Sequence, residues 1–268
     1  MMLSPPTPWP DSIRAINDLP REQKRAIYRT LIPDWVFAQF DIDPETLTVD
    51  GEPVIHFRCP SGSNTFEISV YHRPGADDPA LYLHMTDSFH NQLVVLMAAV
   101  NDPEAPRFNI DRDENDAPTE LGTIRRNIPE EIRAMQAGLV PGQVRRGLRV
   151  FRTGIPTFEL FVKKMGHSLF FIEPLFYHNA VTFERYGFAY SRGLRLMETI
   201  HAEFQPGGTL HARLTGETPF RAPDAWKTIS GRSWAIHDGI LGHPFTDVQM
   251  YKRVGERACI QTFPGAVW

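Results

Sequence analysis

Four short apolar segments between residues 54 and 97, separated only by turn-forming clusters, constrain the fold more than any other feature of this chain. They are Val54-Ile-His56-Phe57, Thr65-Phe-Glu-Ile-Ser-Val-Tyr71, Ala80-Leu-Tyr-Leu-His84-Met and Leu93-Val-Val-Leu-Met97. Runs of this length, rich in β-branched and aromatic residues, read as strands. The links Ser61-Gly-Ser-Asn64 and Pro74-Gly-Ala-Asp-Asp-Pro79 are too short for a crossover helix, so an antiparallel meander is expected. The sheet should end near Arg107-Phe-Asn-Ile110.

Helical periodicity flanks and follows this block. Pro5, Pro6, Pro8 and Pro10 favour an extended arm over residues 1–20, and two short helices separated at Pro33 are expected between Pro20 and Phe40. Downstream, Pro129–Ala137, Gln143 to about Met165, and Ser191–Phe204 carry helical signals, with Pro156 expected to kink or split the second. The final sixty residues return to short apolar runs, Thr209–Leu214, Ser233–Ile236 and Asp247–Lys252, which read as strands. Strands, then helices, then strands predict an α+β fold: a largely antiparallel sheet with helices packed on it. Residues 21–268 are read as one domain, with a division into 21–118 and 119–268 left open.

Length and composition bound the function. A chain of 268 residues buries roughly three quarters of its unfolded surface and needs no staple to fold. A net charge of -4 gives no electrostatic reason to expect nucleic acid or an anionic membrane, so a small molecule is the expected ligand, and a homo-oligomer is allowed. Cys59 and Cys259 stand far apart with no metal-ligand spacing, which suggests a reducing compartment. The first residues lack the basic and apolar regions of a secretory signal and no stretch has the length of a membrane span, so a cytoplasmic location is expected.

The densest functional signal lies in His167–Phe188, where the apolar strand Leu169–Ile172 is followed at once by Glu173-Pro174 and then by Tyr177-His178-Asn179. Titratable residues after the carboxyl end of a strand occupy the usual position of sites in α/β layers. Glu173 and His178 are the expected catalytic acid/base pair, since a carboxylate and an imidazole near a strand end can be tuned towards neutral pH. Upstream, Arg145, Arg149 and Arg152 share one face of the expected helix from Gln143, with Arg146 beside them and Pro141-Gly142 just before. Guanidinium groups at a helix start suit an anionic ligand. A solvated basic face is the plain alternative.

The run Val140-Pro-Gly-Gln-Val-Arg-Arg146-Gly147-Leu-Arg149, a helix, an apolar strand and then Phe183-Glu184-Arg-Tyr-Gly187-Phe188 together resemble the GNAT N-acyltransferase family over residues 140–188. The resemblance implies a GNAT-like C-terminal half that uses coenzyme A or acyl-CoA. It also implies an acyl transfer to a small amine, with Arg145, Arg146, Gly147 and Asn179 at the cofactor and Glu173 as base.

A second chemistry is suggested by Glu198-Thr-Ile-His201, because Glu-x-x-His on a helix sets two metal-capable groups on nearby positions. With Glu173 and His178 it would complete a site for iron or another divalent metal, and His84 or His90 are further ligands to consider. His201 also shares an apolar stripe with Leu194, Met197 and Phe204, where a core histidine belongs. Asp111–Asp116 reads as a solvated acidic turn, because it lacks the glycine and glutamate of a calcium loop. His237-Asp238 falls between two expected strands, lining a pocket or capping turns. A binding module without catalysis is the third reading.

Overall fold

The computed structural model describes residues 8–122, 124–148 and 150–268. In chain order it contains α1 (Ile13–Asn17), α2 (Arg21–Arg29), α3 (Asp34–Gln39), β1 (Thr48–Val49), β2 (Glu52–Pro53), β3 (Ile55–Arg58), β4 (Thr65–Val70), β5 (Leu81–Asp87) and β6 (Leu93–Val100). After these come α4 (Ile128–Gln136), α5 (Phe151–Lys164), β7 (Leu169–Ile172), α6 (Tyr177–Arg185), β8 (Ala189–Arg192), α7 (Leu194–Glu203), α8 (Thr209–Ala212), α9 (Ile229–His237) and β9 (Gln249–Arg253). The class is α+β, as expected. The chain divides into two interleaved compact units, the first formed by residues up to Glu104 with Gly147–Glu173 and Lys252–Glu256, the second by Ala105–Arg146, Pro174–Tyr251 and Arg257–Trp268.

The first unit contains the meander. β3, β4, β5 and β6 pair in succession, each antiparallel to the last. Burial alternates residue by residue along β4, so that Phe66, Ile68 and Val70 face the core. Tyr28 of α2 stacks on Phe66 at 3.7 Å between ring centroids, and its hydroxyl donates to Asn17 Oδ1 at 2.6 Å. The buried Asn17 amide in turn donates to the carbonyls of Ser63 and Thr65, both at 2.9 Å. Helix and sheet are therefore joined through a polar side chain whose hydrogen bonds are made.

Two departures from expectation concern this unit. β7 runs parallel to β6, through Val94↔Phe171 and Val95↔Ile172, so the sheet is mixed, while the pairs β3–β4, β4–β5, β5–β6 and β8–β9 are antiparallel as expected. Parallel neighbours require a crossover, and α5 supplies it. The expected extended arm also contains a helix, α1. Ser12 Oγ caps it by accepting from Ala15 N at 3.2 Å, and the Asp87 carboxylate accepts from the amides of Ile13 and Arg14 at 2.9 Å each. A carboxylate more than seventy residues away completes that cap, which local reading cannot find. Residues 1–7 of the arm lie outside the described residues.

Further expectations are corrected downstream of the meander. The runs expected as strands at Thr209–Leu214 and Ser233–Ile236 are α8 and part of α9. α9 is buried on several sides, through Ile229, Arg232, Ser233, Trp234, Ala235 and Ile236, so its apolar run shows no one-faced helical period. Arg107–Ile110 forms no strand. Phe108 and Ile110 instead pack with Ala134 and Leu139, and Phe108 N donates to Val144 O at 2.8 Å. The helix expected from Gln143 begins only at Phe151, and Pro156 lies inside it without splitting it. β8 and β9 pair antiparallel through Ala189↔Tyr251 and Tyr190↔Met250. Among the described residues, no helix is long and apolar enough to cross a membrane.

Candidate functional site

In the first unit, the parallel pair β6–β7 is joined by the crossover helix α5. The register of β5 and β6 steps from His84↔Met97 to Met85↔Val95, which leaves Leu96 as the extra residue of a β-bulge. Val95 is also the last residue of β6 paired with β7. A bulge bends and twists its strand, so β6 changes course where its ladder with β7 stops. At the far end of β6 the chain returns at Gly147, where an added Cβ would lie 3.1 Å from the Val100 carbonyl oxygen. Only a residue without a side chain approaches that carbonyl without displacing it. α5 starts four residues later, and Glu173 is the exposed residue that follows the last residue of β7. The carboxyl end of β7 thus lies opposite the middle of β6, at Val95, and Gly147 stands at the carboxyl end of β6, by Val100; the carboxyl ends of parallel strands are the general ligand position of such folds.

The other expected site residues lie in the second unit. The segment 141–148 is a turn and bends, so Arg145 and Arg146 do not start a helix. Gly142 explains the turn: its φ is +81°, and the Phe176 ring occupies the space a Cβ would need, with Cε2 at 2.3 Å from that position. Arg145 Nη1 donates to Ala105 O at 2.6 Å, while Arg146 is exposed. Arg152 lies in the first turn of α5, and Arg149 lies outside the described residues. Asn179 Oδ1 accepts from Phe176 N at 3.2 Å, a cap on α6.

His178 is buried, with Nδ1 2.9 Å from Ser233 Oγ and the ring stacked on Phe176 at 5.7 Å. Burial, with the nearby His237, pushes its pKa down to about 3, so the imidazole is neutral at physiological pH. It acts there as a hydrogen-bonding core residue of α6.

The Glu-x-x-His pair does sit on one helix, α7, but its members part company. Glu198 is exposed, whereas His201 Nδ1 lies 3.1 Å from Arg232 Nη1 and its Nε2 lies 3.3 Å from Gln205 Nε2. Among the described residues, no group of three or more His, Cys, Asp or Glu side chains is arranged to hold a metal ion. The geometry therefore does not assemble Glu173, His178, Glu198 and His201 as a metal centre.

Two buried polar clusters lie in this unit; sequence reasoning singled out His237 and Asp238 of the first but not their partners, and overlooked the second. In the first, Glu131 accepts from Arg126 at 2.5 Å and lies 3.1 Å from His237 Nε2, while Asp238 is 2.9 Å from Arg126 and 2.8 Å from Arg221. Burial alone would raise the Glu131 pKa, but His237 and Arg126 hold it below the usual carboxylate range. In the second, Glu184 accepts from the hydroxyls of Tyr190 at 2.5 Å and Thr262 at 2.6 Å, and from Thr262 N at 3.0 Å. Burial raises its pKa despite these bonds. Nearby, Arg232 is fully buried on α9. The available signal was a charged residue inside the apolar run Ile229–Ile236, which a strand reading passes over.

No protein-family model, curated protein or solved structure matches this chain. The geometry of the chain itself therefore carries the functional reading.

Proposed function

We propose that the chain is an acyl-CoA-dependent N-acyltransferase-like enzyme acting on a small amine, with its site at the carboxyl ends of β6 and β7. The observation that carries this reading is the approach of Gly147 to the Val100 carbonyl, just before the crossover helix. Pyrophosphate needs backbone that can come close and donors that complement its charge. Gly147 carries no side chain, its bare side facing the Val100 carbonyl, and the exposed guanidinium of Arg146, adjacent in the chain, suits the second requirement. Arg145 has one nitrogen on Ala105 O, so Arg146 is assigned the larger share of phosphate binding.

When bound, acyl-CoA supplies an acyl group activated as a thioester. Glu173 would then serve as the base: its exposed carboxylate, at the end of β7, takes a proton from the amine as nitrogen attacks the thioester carbonyl carbon, the C–S bond breaks, and the CoA thiolate leaves and takes a proton from solvent. The rigid β6–α5–β7 crossover holds that carboxylate and Gly147 on one framework, which is what a bimolecular transfer requires. His178 enters as a neutral group that orients α6 through Ser233.

Isothermal titration with acetyl-CoA, longer acyl-CoAs and free CoA tests the reading. Binding is expected for at least one of them, weakened about tenfold in Arg146→Ala, the scale of one charge-assisted hydrogen bond. Absence of heat with all three would overturn it. Glu173→Gln is expected to bind the same ligand normally while losing thiol release in the presence of amines.

A further inference from the structure

We infer that the first unit docks reversibly on an anionic lipid surface, with the Phe89 ring as the group that enters the bilayer interface. Phe89 stands at the tip of the β5–β6 hairpin and is 99% exposed. The turn that presents it is fixed. Ser88 N donates to Gln92 O at 2.8 Å and Asn91 N to Ser88 O at 3.0 Å, while the amides of His90 and Gln92 donate to Ser88 Oγ at 3.3 and 3.1 Å. Asn91 completes the turn in left-handed backbone, with φ +56°. A ring held out in water by such a turn gains its burial free energy on docking with little ordering left to lose.

Cations share this end of the sheet. β6 and β7 are parallel, with Val94 level with Phe171, so the chain before each strand, Phe89 in one case and Lys163–His167 in the other, enters at the same amino end. Asp11 joins the two: its carbonyl oxygen accepts from Asn91 Nδ2 at 3.5 Å and lies 2.7 Å from His167 Nε2. Lys163 and Lys164, in the last turn of α5, are exposed, and Lys164 Nζ lies 5.1 Å from the Trp9 ring centroid. Arg14 is exposed on α1. Of the acids at this end, Asp11 is exposed, whereas the Asp87 carboxylate is occupied by the amides of Ile13 and Arg14. Asp18, at the far end of α1, is bound by Ser61 and Gly62.

This arrangement selects lipid over protein. A protein partner needs apolar area around an aromatic anchor, and the turn neighbours His90, Asn91 and Gln92 are polar and exposed. At a bilayer the ring enters the headgroup boundary alone, while lysine stems extend their charge to lipid phosphates. Anionic leaflets attract basic side chains only within a screening length, about 8 Å at physiological ionic strength. The local cations therefore decide the contact, and the whole-chain net charge of -4 does not. One ring and a few cations give weak, reversible binding, well short of anchoring. Glu173 stands at the opposite, carboxyl end of β7, so docking by the amino end leaves it free.

Co-sedimentation of the full chain with mixed phosphatidylserine/phosphatidylcholine vesicles, against pure phosphatidylcholine vesicles, tests the inference. The chain is expected to pellet with the mixed vesicles, to stay in solution with the neutral ones, and to be released by added salt. Phe89→Ser removes no buried side chain, so the variant keeps the fold, and its vesicle affinity is expected to fall about tenfold. Lys163→Gln combined with Lys164→Gln is expected to remove the preference for anionic vesicles. Absence of pelleting, equal pelleting with both vesicle types, or full affinity in Phe89→Ser would each overturn the inference. Phe89-dependent self-association in sedimentation velocity, without vesicle binding, would overturn it as well and give the tip to a second copy of the chain. None of these residues belongs to the acyl-CoA site, so CoA titration and vesicle binding succeed or fail separately.

Discussion

The first unit buries Phe66, Ile68, Val70 and Met85 on one face of a meander and adds Asn17 and Asp87, whose partners are backbone groups and, for Asn17, the Tyr28 hydroxyl. The second unit buries Glu131, Glu184, His178 and Arg232, whose partners are for the most part other side chains distant in sequence. Apolar burial is non-directional and tolerant, so its pattern can be read from spacing alone. Buried charges are stable only when specific partners arrive with good geometry, and nothing local announces which partners those are. The units therefore differ in how they should respond to substitution and to pH.

The sharpest way to break this comparison is to remove one central side chain from each unit. Phe66→Ala is expected to cost about 3–5 kcal/mol as a cavity, independent of pH. Glu131→Ala is expected to cost a similar amount, about 3–5 kcal/mol, because Arg126 and His237 lose a buried partner. Its cost should depend on pH. The folded pKa of Glu131 is depressed, so its stabilisation is complete above its unfolded value near 4.5 and is lost as pH falls through the folded value. Urea denaturation of both variants at pH 7 and pH 3.5 measures the contrast; a Glu131→Ala cost that does not shrink at the lower pH would erase it.

A smaller effect concerns His178. Its folded pKa of about 3 lies below the ordinary histidine value of 6.5, so the unfolded chain binds the proton more readily. Stability contributed by the neutral ring is complete above about 6.5 and falls as pH drops, by about 2 kcal/mol between pH 7 and pH 5. NMR of the histidine rings should find one imidazole that does not titrate between pH 5 and pH 8; normal titration of His178 would remove it from the buried set. The smallest effect belongs to the first unit. Ser12→Ala should cost only about 1 kcal/mol, since the Asp87 carboxylate still caps α1, and a loss above about 3 kcal/mol would show that the serine has a larger role.

Legibility follows the same division. The strands β3, β4, β5 and β6 and the helices α4 and α7 stand where periodicity predicts them, because each keeps one buried and one exposed side. α8 and α9 were read as strands because short apolar runs do not separate a buried helix from a strand. Within the site, Glu173 does follow β7, but the start of α5 moved from Gln143 to Phe151, and with it the basic face. At Gly142, just before the expected start, the chain turns with the Phe176 ring in the missing side-chain volume, a contact between residues more than thirty positions apart.

The amino-acid sequence by itself determined the α+β class, the meander and the strand that ends before Glu173, because these depend on spacing and side-chain size within a few residues. Tertiary structure alone decided that β7 runs parallel to β6, that Gly147 meets the Val100 carbonyl, that His178 is a neutral core group, and that His201 faces Arg232. Strand pairing, desolvation and hydrogen-bond satisfaction depend on which distant groups meet, and those meetings exist only once the chain has folded.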